Sequence, residues 1–346
     1  VLYKLENKPK AFYYYRQSLQ QLDMTEAHGL RRRIERQLMT LNRDSWVLHT
    51  AGRFIGHHQI DGLLDETGKE GFRGEHRHAA ILFSDISDFT SISEKFDPKE
   101  LISFLNDFFR LMTRSIELYD GYVDKFIGDA IMAVFVAKDD SPQELMKVTN
   151  NACMGALMML TELQRFNRKR AEGVPEIRIS TGIHAGEAIA GLIGSPRKRS
   201  YTFMGDTVNT ASRIEGIAKM MGASVALTED VYKKLEPKHN FLLRPLGKYK
   251  PKGKERALNI VELIGLDDES FSSTEVKQEI EDATRHLTSF QKRDFDEAGN
   301  GFEKLYQQCS HLHRSKGYAF LATQSRNLKK DPPHENWDGD IRLISK

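Results

Sequence analysis

His78-Ala79-Ala80-Ile81-Leu82-Phe83-Ser84-Asp85-Ile86-Ser87-Asp88-Phe89-Thr90-Ser91-Ile92 is followed further on by Gly121-Tyr122-Val123-Asp124-Lys125-Phe126-Ile127-Gly128-Asp129-Ala130-Ile131-Met132-Ala133-Val134-Phe135. Each stretch carries an aspartate to the end of an apolar strand. Asp85 closes the run Ala79–Phe83, and Asp129 sits at a Gly128-Asp129 turn between two runs rich in Ile, Val, Phe and Tyr. That pattern reads as a strand followed by a tight hairpin. Two carboxylates at neighbouring strand ends repel unless a cation lies between them. Hard oxygen ligands suit Mg²⁺ or Mn²⁺, and paired ions are a common device for in-line displacement at phosphorus.

Outward from this pair, strands and helices alternate from about Ala79 to Leu263, the pattern of an α/β or α+β domain. Asp97-Pro98-Lys99-Glu100 reads as N-cap, N1 proline and N3 glutamate of a helix, with Leu101, Leu105, Phe108, Met112 and Ile116 on its buried face. A second long helix spans Glu144–Phe166. Strands are expected at Ile177–Ile183, Ala188–Ile193 and Tyr201–Met204, then a helix over Thr207–Met221. Short strands at Ser224–Leu227, Phe241–Leu246 and Asn259–Leu263 complete the domain. Gly68–His78 and Leu266–Glu275 read as linkers.

Both ends are helical in pattern. Ala11, Tyr15 and Leu19 share one face near the start, and two further stretches, Ala27–Leu41 and Trp46–Leu64, carry apolar stripes. In the tail, Phe295, Ala298, Phe302, Leu305 and Tyr306 form another. The outer stripes look like tetratricopeptide helices. The N-terminal stripes would serve plain helix–helix packing or a signalling role, and the tail would bind a protein partner or pack back on the central domain.

The 346 residues hold 51 basic and 49 acidic side chains, a net charge of +2, which excludes a dominant nucleic-acid-binding surface. Apolar residues make up 39%, enough for a core, yet no run approaches a membrane span. Cys153 and Cys309 stand far apart, without ligand-like neighbours, so a reducing, cytoplasmic setting is expected. The chain opens on Val1, which leaves room for an upstream anchor.

Four further polar signals lie in the central domain. Lys125 comes two residues after Val123 in an otherwise apolar strand; it meets an acceptor or snorkels from an edge. Asn209 and Arg213 stand one helical turn apart, on a ligand-facing or merely solvated face. Lys250-Pro251-Lys252-Gly253-Lys254 is a basic turn, fit for a phosphate or for solvent.

These segments resemble the catalytic domain of class III nucleotidyl cyclases, the adenylyl and guanylyl cyclases. The family's F-x-D-I-x-G-F-T appears as Phe83–Thr90, and its K-x-x-G-D as Lys125–Asp129. Its Y-x-x-x-G-x-x-V-N-x-A-x-R appears as Tyr201–Arg213, and its late K-G as Lys252-Gly253. The resemblance implies a ferredoxin-like α+β fold, a mixed and mainly antiparallel sheet flanked by helices, over residues 73–265. Helical extensions would occupy 1–66 and 276–346. It implies that Asp85, Asp129 and the Ile86 carbonyl hold two divalent ions, Mg²⁺ or Mn²⁺. The amides of Ile86–Thr90, Phe89 and Thr90 included, would cradle phosphates, with Lys252 at the terminal ones. Asn209 would orient the ribose, and Arg213 would meet the charge developing on the α-phosphate. Lys125 and Thr202 would read adenine, Lys125 donating to N1 and Thr202 accepting from the exocyclic amine.

ATP is thus the implied substrate, cyclised to 3′,5′-cyclic AMP and pyrophosphate at the interface of a head-to-tail homodimer. A guanylate cyclase is the alternative within the same chemistry. Lys125 disfavours it, because a lysine facing guanine sets donor against donor. An inactive, nucleotide-binding regulatory domain is the rival outside catalysis, disfavoured by the full set of side chains. One position departs from the family: Asp88 replaces the glycine before Phe-Thr and puts a third carboxylate beside the phosphate loop.

Overall fold

The structure, a computed structural model, describes residues 74–170, 175–195, 198–250, 256–267 and 274–342. The helical region expected over 1–66, and Lys252, lie outside them. By compactness the chain divides into two units. One is Glu75–Ala190 with Phe203–Lys346; the other is residues 1–74 with Gly191–Thr202.

The larger unit begins with β1 (Glu75–Ile86), α1 (Phe89–Ser93), α2 (Pro98–Glu117), β2 (Tyr122–Ile127), β3 (Ala130–Val136), α3 (Pro142–Arg168) and β4 (Ile179–Ser195). Within the sheet these strands lie in the order β2-β3-β1-β4, every neighbouring pair antiparallel. That is the ferredoxin-like βαββαβ arrangement. β5 (Lys198–Met204) pairs with β4, and α4 (Asp206–Met221) follows. Next come β6 (Val225–Thr228), α5 (Glu229–Tyr232), a 3₁₀ turn at Pro237–His239, β7 (Phe241–Lys250) and β8 (Leu258–Leu266). β6 joins β4 in parallel, then β8 and β7 continue antiparallel.

The Asp97 signal acts as read. Its carboxylate accepts from the Lys99 and Glu100 amides at 2.8 and 3.0 Å, and Glu100 reaches back to the Asp97 amide, closing a capping box that starts α2. Phe108, Met112 and Ile116 of α2 pack with Ala152, Cys153, Ala156 and Met159 of α3 against Ala80, Leu82, Ala133 and Phe135. Cys153 is therefore a small core thiol.

Three expectations need correction. The segment ending at His78 is not wholly linker: β1 already starts at Glu75, where pairing with β4 through Glu75↔Ala190 supplies backbone partners to polar residues. The strands expected at Ile177–Ile183 and Ala188–Ile193 are one seventeen-residue strand, β4, because β1 pairs continuously across the polar break at Gly186-Glu187. Tyr306 leaves the buried tail stripe and is 39% exposed.

The tail forms α6 (Thr274–Gln291), α7 (Phe295–Gln308), α8 (Ser315–Lys330) and β9 (Asp340–Arg342). Of the two readings for it, packing on the domain is the one found. Ala283, Leu287, Phe290, Phe302 and Leu321 share a core with Ile214, Ile217 and Met221 of α4 and with Leu246, Tyr249 and Ile260 of the sheet. β9 adds a parallel strand beside β7. A polar network crosses the same junction. Fully buried Arg244 on β7 donates from Nε and Nη2 to Glu262 on β8, at 2.9 and 2.6 Å, and lies 4.8 Å from the Tyr318 ring centroid. The Tyr318 hydroxyl donates to Glu279, which also accepts two hydrogen bonds from Arg314. Among the described residues no helix is long and apolar enough to cross a membrane.

Candidate active site

Asp85 and Asp129 meet at one end of the sheet. The β1–β3 register runs Ala79↔Val136 to Ser84↔Ile131; one step further sets Asp85 opposite Ala130, beside Asp129. Gly128, at a φ of 65°, makes the turn that a side chain would resist. The two carboxyl groups share a hydrogen bond. Burial, that hydrogen bond and the charge of Asp85 push the Asp129 pKa up to about 6.

Two residues of α4, not foreseen from sequence, complete this cluster. Lys219 Nζ donates to Asp85 Oδ2 at 2.8 Å. Burial opposes its charge, but the hydrogen bond and the neighbouring carboxylates hold its pKa above the ordinary lysine value. Glu215 lies one turn earlier. Burial, then the charge of Asp85, pushes its pKa up to about 7, and its Oε1 is buried without a hydrogen-bond partner. α4 comes this close because β4 carries glycine at 182. A Cβ there would stand 2.1 Å from the Glu215 amide nitrogen and 2.6 Å from the Ala211 carbonyl oxygen.

A pH dependence follows, with a definite sign. The ordinary pKa values are 3.8 for Asp129 and 4.5 for Glu215, and both are raised in the folded, metal-free protein. The folded state then binds more protons than the unfolded one between those values and about 6 to 7, so this contribution to stability falls as pH rises through that window. In EDTA, Asp129→Asn is expected to melt at or below the parent temperature at pH 4 and above it at pH 8. Parallel melting curves across that range would contradict this.

Asn209 and Arg213 point elsewhere. At about 100° per residue, their stripe is turned about 120° from that of Glu215 and Lys219. Both residues are exposed, and neither side chain has a partner among the described residues. The chain therefore does not bring them together with Asp85 and Asp129.

Lys125 sits beyond a bulge at Asp124, since Val123 pairs with Ala133 and Lys125 with the adjacent Met132. Its ammonium meets the buried Asp124 carboxylate at 3.2 Å. Thr202 is buried on β5, in the smaller unit. Ile86 is fully buried at the end of β1, opposite Ile179 of β4. Phe89 packs on the main core and Thr90 is exposed. The expectation of a phosphate cradle reaching back to Ser87 needs correction: the Ser87 amide already donates to the Arg178 carbonyl at 2.8 Å. Asp88 has a φ of 58° and a ψ of 31°, the left-handed conformation in which aspartate is among the more tolerated non-glycine residues. That accounts for glycine in the family motif, and Asp88 itself projects to solvent.

The pair suits a hard divalent ion. Two carboxyl groups lie within hydrogen-bonding distance of each other, and an ammonium already occupies one of them. Among the described residues no group of three or more His, Cys, Asp or Glu forms a ready-made metal site.

The central domain is thus an α+β domain with a ferredoxin-like sheet and two aspartates that meet at one end of it. The chain belongs to the adenylate and guanylate cyclase catalytic domain family, whose profile matches residues 73–262. Members of this family use divalent metal ions. An adenylate cyclase of Anabaena cylindrica is 39% identical over 193 residues, which is 54% of this chain and 37% of that protein. Adenylate cyclase 1 of Rhizobium meliloti is 38% identical over 203 residues, 58% of this chain and 30% of that protein. The chain thus spans about a third of the length of these relatives. Among solved structures, the adenylyl cyclase CyaB from P. aeruginosa aligns with a TM-score of 0.50 at 28% identity, over 58% of this chain and all of that one.

Proposed function

We propose that this chain is an adenylate cyclase that converts ATP to 3′,5′-cyclic AMP and pyrophosphate. The observation that carries the reading is the meeting of Asp85 and Asp129, which share a hydrogen bond at the open end of the sheet. The substrate follows from Lys125 and from the adenylate cyclases among the similar proteins.

Asp85, Asp129 and the Ile86 carbonyl hold the divalent ions, two per site, Mg²⁺ or Mn²⁺. When bound, they supply positive charge to the phosphates and to the ribose 3′-oxygen. The amides from Asp88 onward, with Phe89 and Thr90, position the β- and γ-phosphates, and Lys252 meets the terminal ones. Asn209 fixes the ribose so that its 3′-oxygen lies in line with the bond that breaks between the α-phosphorus and pyrophosphate. Arg213 neutralises charge as the α-phosphorus becomes five-coordinate. Lys125 and Thr202 select adenine, and the Asp124 carboxylate holds the Lys125 ammonium against the bulge.

Asn209 and Arg213 project away from their own aspartates, which supports a head-to-tail homodimer with two sites. Exposed Phe126 and Ile127, adjoining the Gly128-Asp129 turn, offer an apolar surface for that contact.

Incubating the protein with ATP or GTP and Mn²⁺, then identifying the product, tests the reading. Cyclic AMP is expected, and no cyclic nucleotide from either substrate overturns it. Lys125→Glu is expected to lower kcat/KM for ATP by about a hundredfold or more, since an acceptor then faces adenine N1. An unchanged ratio of ATP to GTP use would remove Lys125 from base selection.

A further inference from the structure

Lys219 needs an explanation that the proposed reaction does not supply. It is on α4, the helix of Asn209 and Arg213, but on the stripe that faces the chain's own aspartates. Its ammonium stands 2.8 Å from Asp85 Oδ2 and remains 44% exposed. Asp85 in turn hydrogen-bonds Asp129. One turn back, Glu215 Oε1 is buried with no hydrogen-bond partner. A flexible lysine thus touches the carboxylate that the reading above assigns to the ions, and an unused acceptor waits on its own helix at i−4 spacing.

We propose that Lys219 is a tethered counter-ion for the metal-free site: it holds Asp85 in place and competes with the divalent ion for it. On metal binding the ammonium leaves Asp85 Oδ2 and turns to Glu215, so the two carboxylates keep a cation in both states. Lys219 is a positioning residue, because it acts on the reaction through Asp85. The inference rests on the assignment of Asp85 and Asp129 as metal ligands.

The physical reason for such a device is the cost of the alternative. Adjacent carboxylates with no cation repel and strand buried charge. A divalent ion added without competition would bind tightly, whether or not nucleotide came with it. A resident ammonium weakens binding of the ion alone and leaves the nucleotide's phosphates to supply the remaining ligands.

The test measures Mn²⁺ binding to the full chain without nucleotide, by the electron paramagnetic resonance signal of free Mn²⁺. Lys219→Gln is expected to bind Mn²⁺ about tenfold more tightly, allowing for solvent screening of a half-exposed pair. It is also expected to melt at a lower temperature than the parent in EDTA and to gain more from added Mn²⁺. Arg178→Gln, which removes a nearby cation paired with Glu176, is expected to change the affinity less than about twofold, as a screened surface charge would. Equal or weaker Mn²⁺ binding by Lys219→Gln overturns the inference, as does an equal gain from Arg178→Gln. Asp85→Asn separates the two levels of argument. If it leaves Mn²⁺ binding intact, the metal assignment itself is wrong and the inference falls with it.

Discussion

Glu262→Ala is expected to destabilise the folded chain by about 3–5 kcal/mol, which for a unit of this size lowers the melting temperature by roughly 10 °C. The reason is what the substitution leaves behind. Arg244 is 1% exposed, and its Nε and Nη2 both donate to Glu262 Oε2. Without that carboxylate a guanidinium remains in the protein interior beside Tyr318, with no route to water. Glu262 Oε1 also accepts from the half-buried Ser224 amide, so a second donor loses its partner. Replacing both partners by apolar residues, Arg244→Met with Glu262→Leu, is expected to recover most of the loss, because no charge is then buried. Urea unfolding midpoints check both statements. A Glu262→Ala midpoint equal to the parent's would mean that Arg244 finds another carboxylate, with Glu279 the nearest candidate through Tyr318. The loss reaches function as well. The network fixes α6 and α8 to the sheet, and α8 also packs on α4, with Gly317 against Met221.

The central fold was legible because its signals are local. Capping at Asp97, the Gly128-Asp129 turn and the apolar runs on either side each specify an element without reference to the rest of the chain. The aspartate pair was legible for the same reason, each residue sitting at the end of a strand that its own neighbours define. Glu215 and Lys219 were not. At i, i+4 spacing they read as an ordinary surface pair, and only the closeness of α4 to β4 at Gly182 turns them toward Asp85. Lys125 shows a subtler limit. Strict alternation would put Val123 and Lys125 on one face, whereas the Asp124 bulge moves Lys125 to the other. Nothing in the sequence around β9 announces that three residues near the end extend the sheet beside β7. That pairing depends on where the three tail helices leave the chain.

Asp85→Asn and Arg213→Ala are each expected to lower cyclase activity at least about a thousandfold, one through the ions and one through charge on the reacting phosphate. The more telling result comes from mixing them. α4 turns Lys219 toward its own Asp85 and Arg213 about 120° away, so one chain cannot use both residues at one site. If Arg213 serves the aspartates of a second copy, co-expressed Asp85→Asn and Arg213→Ala chains form heterodimers in which one site has lost both groups and the other has lost neither. Random pairing makes about half the dimers mixed, each with one working site of two, so about a quarter of parental activity should return. Asp85→Asn mixed with Asp129→Asn is the control. Both residues act from the same copy, every site then lacks one aspartate, and no activity should return. Recovery in the first mixture and silence in the second require an arginine supplied across the interface. Silence in both, with folded chains, would require Arg213 to act within its own protomer, and α4 would have to rotate by about a third of a turn to let it.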